Sequence, residues 1–162
     1  MSDGIIVIGD RKLFVSKQLL ATQSAYFESL FFGKFKESTE PETHIQEVEI
    51  DQFVVLLRIL YRAGQTLTAE NVEFIMKLAD RFEMMPIMDL CEKYLLTPKG
   101  PTMHTKLRLA DKFNLFVLHE QLVGRYNADL IRELNKSTDF GMLKEETKDM
   151  LFKKYIELTS PK

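Results

Sequence analysis

The chain has 162 residues, 45% apolar and 28% charged, with a formal net charge of −2, enough for one ordinary domain, or one domain with a small helical appendage, and a core that needs no disulfide or metal. Cys91 is the single cysteine, so no intramolecular disulfide forms and a reducing compartment is expected. No window reaches the roughly 18 to 20 apolar residues of a membrane helix, the start lacks the basic region of a signal peptide, and a chain that is not basic makes nucleic acid a poor default partner.

Ile5-Ile6-Val7-Ile8 and Leu13-Phe14-Val15 are short apolar runs around Gly9-Asp10, which predicts a β-hairpin. Ser16 is suited to cap a helix that starts at Lys17. Tyr26, Phe27, Leu30 and Phe31 then fall on one face of a second short helix. Residues 33–43 read as a polar break, a loop to Pro41 whose one large apolar side chain is Phe35. From His44 to Ile50 the period-two alternation predicts a half-exposed strand.

Asp51 is placed to cap a helix over 52–61 that carries Phe53, Leu56, Leu57 and Leu60, with Gly64 ending the unit. Further helices are predicted over 71–82 and from Pro86, which fits a first helical turn, through Leu95. Thr97-Pro98-Lys99-Gly100-Pro101 is the one clear internal boundary. Leu78-Ala79-Asp80-Arg81-Phe82 returns 31 residues later as Leu109-Ala110-Asp111-Lys112-Phe113. The spacing predicts a duplicated helical hairpin, with second helices ending near Leu95 and Asn135, too few copies for a free-standing solenoid. A last helix over 145–158 places Met150, Leu151, Tyr155 and Leu158 at helical spacing.

Charge divides along the chain. Residues 1–98 carry 10 basic and 15 acidic side chains, whereas 99–162 carry 12 and 9. Five acids fall between Glu40 and Asp51, either a solvated face or a surface for a basic partner. Catalytic patterns are absent: His44, His104 and His119 are widely spaced and lack metal-ligand spacing. Cys91 lies in an apolar run and reads as a buried, inert thiol. No phosphate-binding glycine loop or nucleophile elbow occurs, and the adjacent Glu145 and Glu146 point apart on a helix. The sequence predicts neither an enzyme nor a cofactor.

Several motifs coincide in order and spacing. Leu20-Ala21-Thr22-Gln23-Ser24-Ala25-Tyr26-Phe27 fits L-A-x-x-S-x-Y-F. Leu60-Tyr61-Arg62-Ala63-Gly64 is an aromatic helix end with a glycine turn. Asn71 to Phe82 fits N-V followed by L-A-D and an aromatic, and Cys91-Glu92-Lys93-Tyr94-Leu95 follows. With the opening Asp3 to Leu20, residues 3–96 resemble the BTB (POZ) domain, and 105–158 resemble the three-box or BACK-like helices that follow many such domains. The resemblance implies an α+β fold, a small sheet with a cluster of helices, followed by an all-α extension, divided as 1–98 and 99–162.

It also implies an intracellular adaptor, in nucleus or cytoplasm, that dimerises and binds the cullin-3 N-terminal region to bring a substrate protein to a ubiquitin ligase. Phe35-Lys36-Glu37 fits the hydrophobic-x-Glu cullin motif, with Tyr61 on the same face; the alternative is that Phe35 folds back on the helix carrying Phe31 and Phe32. Leu19, Leu20, Tyr26 and Phe27 are the implied homodimer contacts. The chain departs from the family pattern in three places. With only two residues before Asp3, the helix that lets long-form relatives swap is not expected in this stretch, which puts a swapped dimer in question and leaves a two-fold dimer through the helices over 17–32. Ser16 replaces the usual His, and Tyr61-Arg62-Ala63-Gly64 is longer than the usual Tyr-Thr-Gly. No substrate-binding domain accompanies these segments, so either the chain belongs to a longer protein or its own surfaces recognise the target. The other reading is a non-ligase scaffold that assembles a regulatory or chromatin complex through dimerisation and peptide binding.

Overall fold

The computed structural model describes residues 3–33 and 41–160. The chain falls into two compact units, Met1–Cys91 and Glu92–Lys162, divided within one helix.

The first unit opens with β1 (Gly4–Ile8) and β2 (Arg11–Val15), antiparallel partners in which Ile8 faces Arg11. Their two-residue turn places Gly9 at φ +61°, the left-handed geometry that a turn of matching twist needs at its first position. β3 (Glu42–His44) pairs parallel to β1, so β1 is central in the order β2-β1-β3. Lys12 on β2 reaches Glu42 on β3 with an ion pair.

α1 (Lys17–Gln23) and α2 (Ala25–Phe32) follow the hairpin, and each starts on a serine. The Leu19 N–H donates to Ser16 Oγ at 3.3 Å, and the Phe27 N–H to Ser24 Oγ at 3.0 Å, satisfying helix donors that would otherwise lack partners. Ser24 Oγ also donates to the Phe82 carbonyl, which fastens this junction to the next helical layer.

The alternation after His44 is not a strand. The ladder ends where the Ile45 N–H donates to the Val7 carbonyl at 2.9 Å. Glu47 then takes a φ of +55°, which breaks an extended run. Arg81 holds this segment by donating to the Gln46 and Glu47 carbonyls at 2.6 and 2.7 Å. α3 (Ile50–Leu60) therefore begins one residue before Asp51, its N-cap Glu49 lacks a side-chain cap bond, and Asp51 instead pairs with Arg11 at 3.6 Å. Leu57 and Leu60 are only half-buried, while Phe53, Leu56 and Ile59 enter the core.

α4 (Val72–Arg81) is preceded by reciprocal bonds between Thr68 and Asn71, and α5 (Met85–Leu96) carries Pro86 in its first turn. Phe27, Phe53 and Phe82 interlock at the centre of the first unit. Phe82 lies 5.1 Å from Phe27, and 5.7 Å edge-on from Phe53. Ile6, Leu20, Leu56, Ile75 and Met76 close around them without solvent exposure.

In the second unit, α6 (Met103–Lys112), α7 (Phe116–Arg125), α8 (Ala128–Asn135), the single turn α9 (Thr138–Gly141) and α10 (Glu145–Thr159) surround Leu107, Leu109, Leu118, Leu122, Tyr126, Leu134 and Leu151. The helix expected to run to Asn135 is two helices, because the chain is extended at Tyr126 and Asn127 and Asn127 Oδ1 caps α8. On α10 only Leu151 and Thr147 are buried; Met150 and Leu158 remain about half exposed.

Three helices end alike. After α3, α4 and α6 the chain passes through Arg62, Glu83 and Asn114 at φ +53°, +48° and +56°. The next N–H returns to the helix each time: Ala63 to Arg58, Met84 to Ala79 and Leu115 to Ala110, at 2.7 to 2.9 Å. This six-to-one bond defines the Schellman cap. Arg62, not Gly64, therefore turns the chain at the end of α3.

Candidate protein-interaction surface

The start of α1 gathers three parts of the first unit. Asp3 Oδ1 accepts the Lys17 N–H at 2.6 Å, and the Tyr61 hydroxyl accepts the Ser16 N–H at 2.7 Å. Tyr61 sits at the end of α3, where the Schellman turn aims its ring outward, and it stays 40% exposed. The Lys17 stem lies across Gly4, so closely that a Cβ there would fall 2.6 Å from Lys17 Cγ. The Lys17 ammonium stands 5.5 Å from the Phe31 ring centre. These anchors give Tyr61 a fixed position: an aromatic face with a bonded hydroxyl, suited to protein contact.

Phe35 and Glu37 lie outside the described residues. Phe32, the last residue of α2, is 56% exposed. The four residues expected at a dimer contact separate into two groups. Leu20 and Phe27 are fully buried inside the first unit, while Leu19 is half-buried and Tyr26 is 37% exposed. Helical spacing brought the four onto one pair of helices without telling core from surface. Phe14 on β2, 71% exposed, was missed because its run read as an ordinary hairpin strand.

No group of three or more His, Cys, Asp and Glu side chains is placed to hold a metal among the described residues. Cys91 is fully buried, and burial pushes its thiol up to about 12, away from the thiolate that would make it reactive. His104 Nδ1 lies 2.8 Å from the Tyr126 hydroxyl, whose proton burial holds more tightly than usual.

His119 belongs to a network that sequence spacing did not reveal. Thr147 Oγ1 donates to Asp111 Oδ1 at 2.6 Å and lies 2.9 Å from His119 Nε2, while the Lys144 N–H donates to Asp111 Oδ2 at 2.7 Å. With the threonine proton on Asp111, His119 Nε2 is the donor to Thr147. Asp111 thereby seats the first turn of α10. Burial lowers the His119 proton affinity, and Lys144 adds to that, against the opposing pull of Asp111. These groups hold helices together.

An anchored, partly exposed aromatic on a mixed sheet-and-helix unit is the kind of surface that a protein-interaction module presents. The BTB/POZ domain profile matches residues 1–99, more than half of the chain, which therefore belongs to the BTB/POZ family.

Two proteins of Caenorhabditis elegans are similar over nearly the whole chain. BTB and MATH domain-containing protein 38 is 29% identical over 159 residues, 98% of this chain and 41% of that protein. BTB and MATH domain-containing protein 36 is 26% identical over 159 residues, 98% of this chain and 50% of that protein. The chain thus spans half or less of their length, and the likeness includes the helices beyond residue 99. Among solved structures, the BTB domain of zebrafish PATZ1 is 23% identical, with a TM-score of 0.48 over 58% of this chain and 75% of that one.

Proposed function

We propose that this chain is a dimeric adaptor that binds the cullin-3 N-terminal region and brings a substrate protein to a ubiquitin ligase. The observation that carries the reading is BTB/POZ membership across residues 1–99 with Phe35-Lys36-Glu37 matching the hydrophobic-x-Glu motif. Phe35 fills an apolar pocket of the cullin, Glu37 fixes the geometry of the contact, and Tyr61 lines the same face. Residues 1–98 act as the BTB/POZ domain and 99–162 as a three-box or BACK-like extension. In the dimer, Leu19 and Tyr26 supply exposed apolar area while Leu20 and Phe27 set the shape of the helix pair from within. This work belongs in the cytoplasm or nucleus.

Titration of the cullin-3 N-terminal region against the chain tests this directly. Saturable binding is expected, with at least a tenfold loss in the Phe35→Ala/Glu37→Lys double variant. Absence of binding by the unaltered chain removes the adaptor reading, and equal binding by the variant removes the site. The charge division, net −5 over 1–98 against +3 over 99–162, favours the second reading, a scaffold of a regulatory complex. Affinity purification that yields partners but no cullin would select it.

A further inference from the structure

Lys106, in the first turn of α6, is 8% exposed, and no carboxylate pairs with it among the described residues. Its ammonium donates to a neutral acceptor, the Thr97 carbonyl, at 2.6 Å. A buried ammonium ordinarily has an anionic partner, because a carbonyl dipole replaces only part of its lost hydration. The Arg125 guanidinium adds a second positive charge nearby, which together with burial lowers the affinity of the amine for its proton. The Lys106 ammonium thus faces Thr97 with a carbonyl, and no carboxylate among the described residues, as its partner.

Thr97 itself is exposed, and the bend that follows α5 contains Pro98, Lys99, Gly100 and Pro101, all outside regular structure. Its hydroxyl donates to the Tyr94 carbonyl at 2.7 Å, a bond that any rotation of χ1 releases. A hydroxyl followed by proline in an exposed bend is a shape that a proline-directed protein kinase can seat in extended form. Ser160-Pro161 repeats the dipeptide at the end of α10, where Ser160 Oγ donates to the Ile156 carbonyl at 2.7 Å. Among the described residues no buried lysine bonds to Ser160.

We propose that Thr97 is a phosphorylation site and that Lys106 is the cation that receives the phosphate. Thr97 Oγ1 attacks the terminal phosphorus of a nucleoside triphosphate held by the kinase. The new O–P bond forms as the bond to the bridging oxygen breaks, the nucleoside diphosphate leaves with that electron pair, and the hydroxyl proton passes to the kinase's base. The product carries close to two negative charges at neutral pH. Beside the carboxyl end of α5 those charges are unfavourable, and beside the Lys106 ammonium and the amino end of α6 they are favourable. Lys106 decides between these effects: with it the modification strengthens the bend, and without it the modification weakens the bend.

The full chain, treated with a proline-directed serine/threonine kinase and ATP and mapped by tandem mass spectrometry, should carry phosphate on Thr97, with none there in Thr97→Ala. Phosphorus NMR across pH then reads the environment: the second ionisation of the phosphothreonine should fall below its ordinary value of about 6 and return to it in Lys106→Met. Lys106→Arg, which keeps the charge, should retain the lowered value. The melting temperature should rise on phosphorylation of the unaltered chain and fall on phosphorylation of Lys106→Met. Absence of phosphate at Thr97, with or without labelling of Ser160, overturns the proposal. So does an ionisation or melting shift that is the same in Lys106→Met.

Discussion

The two copies of the L-A-D segment share their local geometry and differ in what surrounds them. In both, the aromatic residue caps the helix, the next residue is left-handed, and the one after it bonds back to the alanine carbonyl. Yet Asp80 is exposed and Asp111 is buried, while Phe82 is fully buried and Phe113 only half so. Met88 in the first copy corresponds to His119 in the second. One unit thus builds its core on the aromatic of the segment, and the other seats a helix on the aspartate. A short repeat fixes how a helix ends. Long-range partners fix what each side chain does.

Substitution of the aromatics should separate the copies most. Phe82→Ala is expected to cost ~3–5 kcal/mol, as for a large side chain removed from a packed core, and Phe113→Ala ~1 kcal/mol. Urea unfolding followed by circular dichroism measures both, and equal losses would mean that the two aromatics do the same work.

Next come the aspartates. Asp111→Ala deprives the Lys144 N–H, Thr147 hydroxyl and His119 of their acceptor chain and should cost ~2–4 kcal/mol. Asp80→Ala should stay within ~0.5 kcal/mol. The same titrations decide it, and a neutral Asp111→Ala would remove the idea that this carboxylate seats α10.

A smaller effect is expected from pH. The His119 proton affinity is lowered in the fold, so the unfolded chain takes up the proton first. The stability that the neutral ring contributes is complete above the ordinary histidine value of about 6.5. It is lost as pH falls from there through the lower folded value. Unfolding free energies measured from pH 7.5 to 5 should decline, and His119→Gln should flatten that decline. An unchanged slope would assign the decline to other groups.

The left-handed caps give the smallest differences. Glu83→Gly relieves a backbone conformation that costs a side-chain residue energy and should raise stability by ~0.5–1 kcal/mol. Asn114→Gly should give ~0 kcal/mol, because asparagine tolerates this region and Asn114 Oδ1 already accepts from Lys144 Nζ. Melting curves of the pair test the ranking.

Features that rest on neighbours in sequence were legible. Ser16 caps its helix and Gly9 turns the hairpin, whereas the Ser24 cap and the left-handed turns that close both copies of the repeat emerge only from the folded chain. The misread strand over 44–50 shows where this reasoning stops. Val48 and Ile50 alternate correctly, but Arg81, more than thirty residues away, captures two carbonyls of that segment. The family resemblance implies Leu20 and Phe27 at a contact between copies, and both are buried within the first unit; an apolar helix face looks alike whether it meets its own core or another chain. The Asp111–Thr147 bond, closed across 36 residues, left no trace in local spacing. Of the candidate surface, Tyr61 was legible as an aromatic at a helix end, whereas its bond to the Ser16 N–H depended on the folded arrangement.

Cys91 gives the molecule a clock. It is the one thiol in the chain, fully buried at the end of the first unit and held protonated. Alkylation requires the thiolate, so modification waits for the surrounding helices to part. Its rate therefore counts opening events around this stretch of α5, and a partner that suppresses those openings should slow the count even when it lies far from the sulfur.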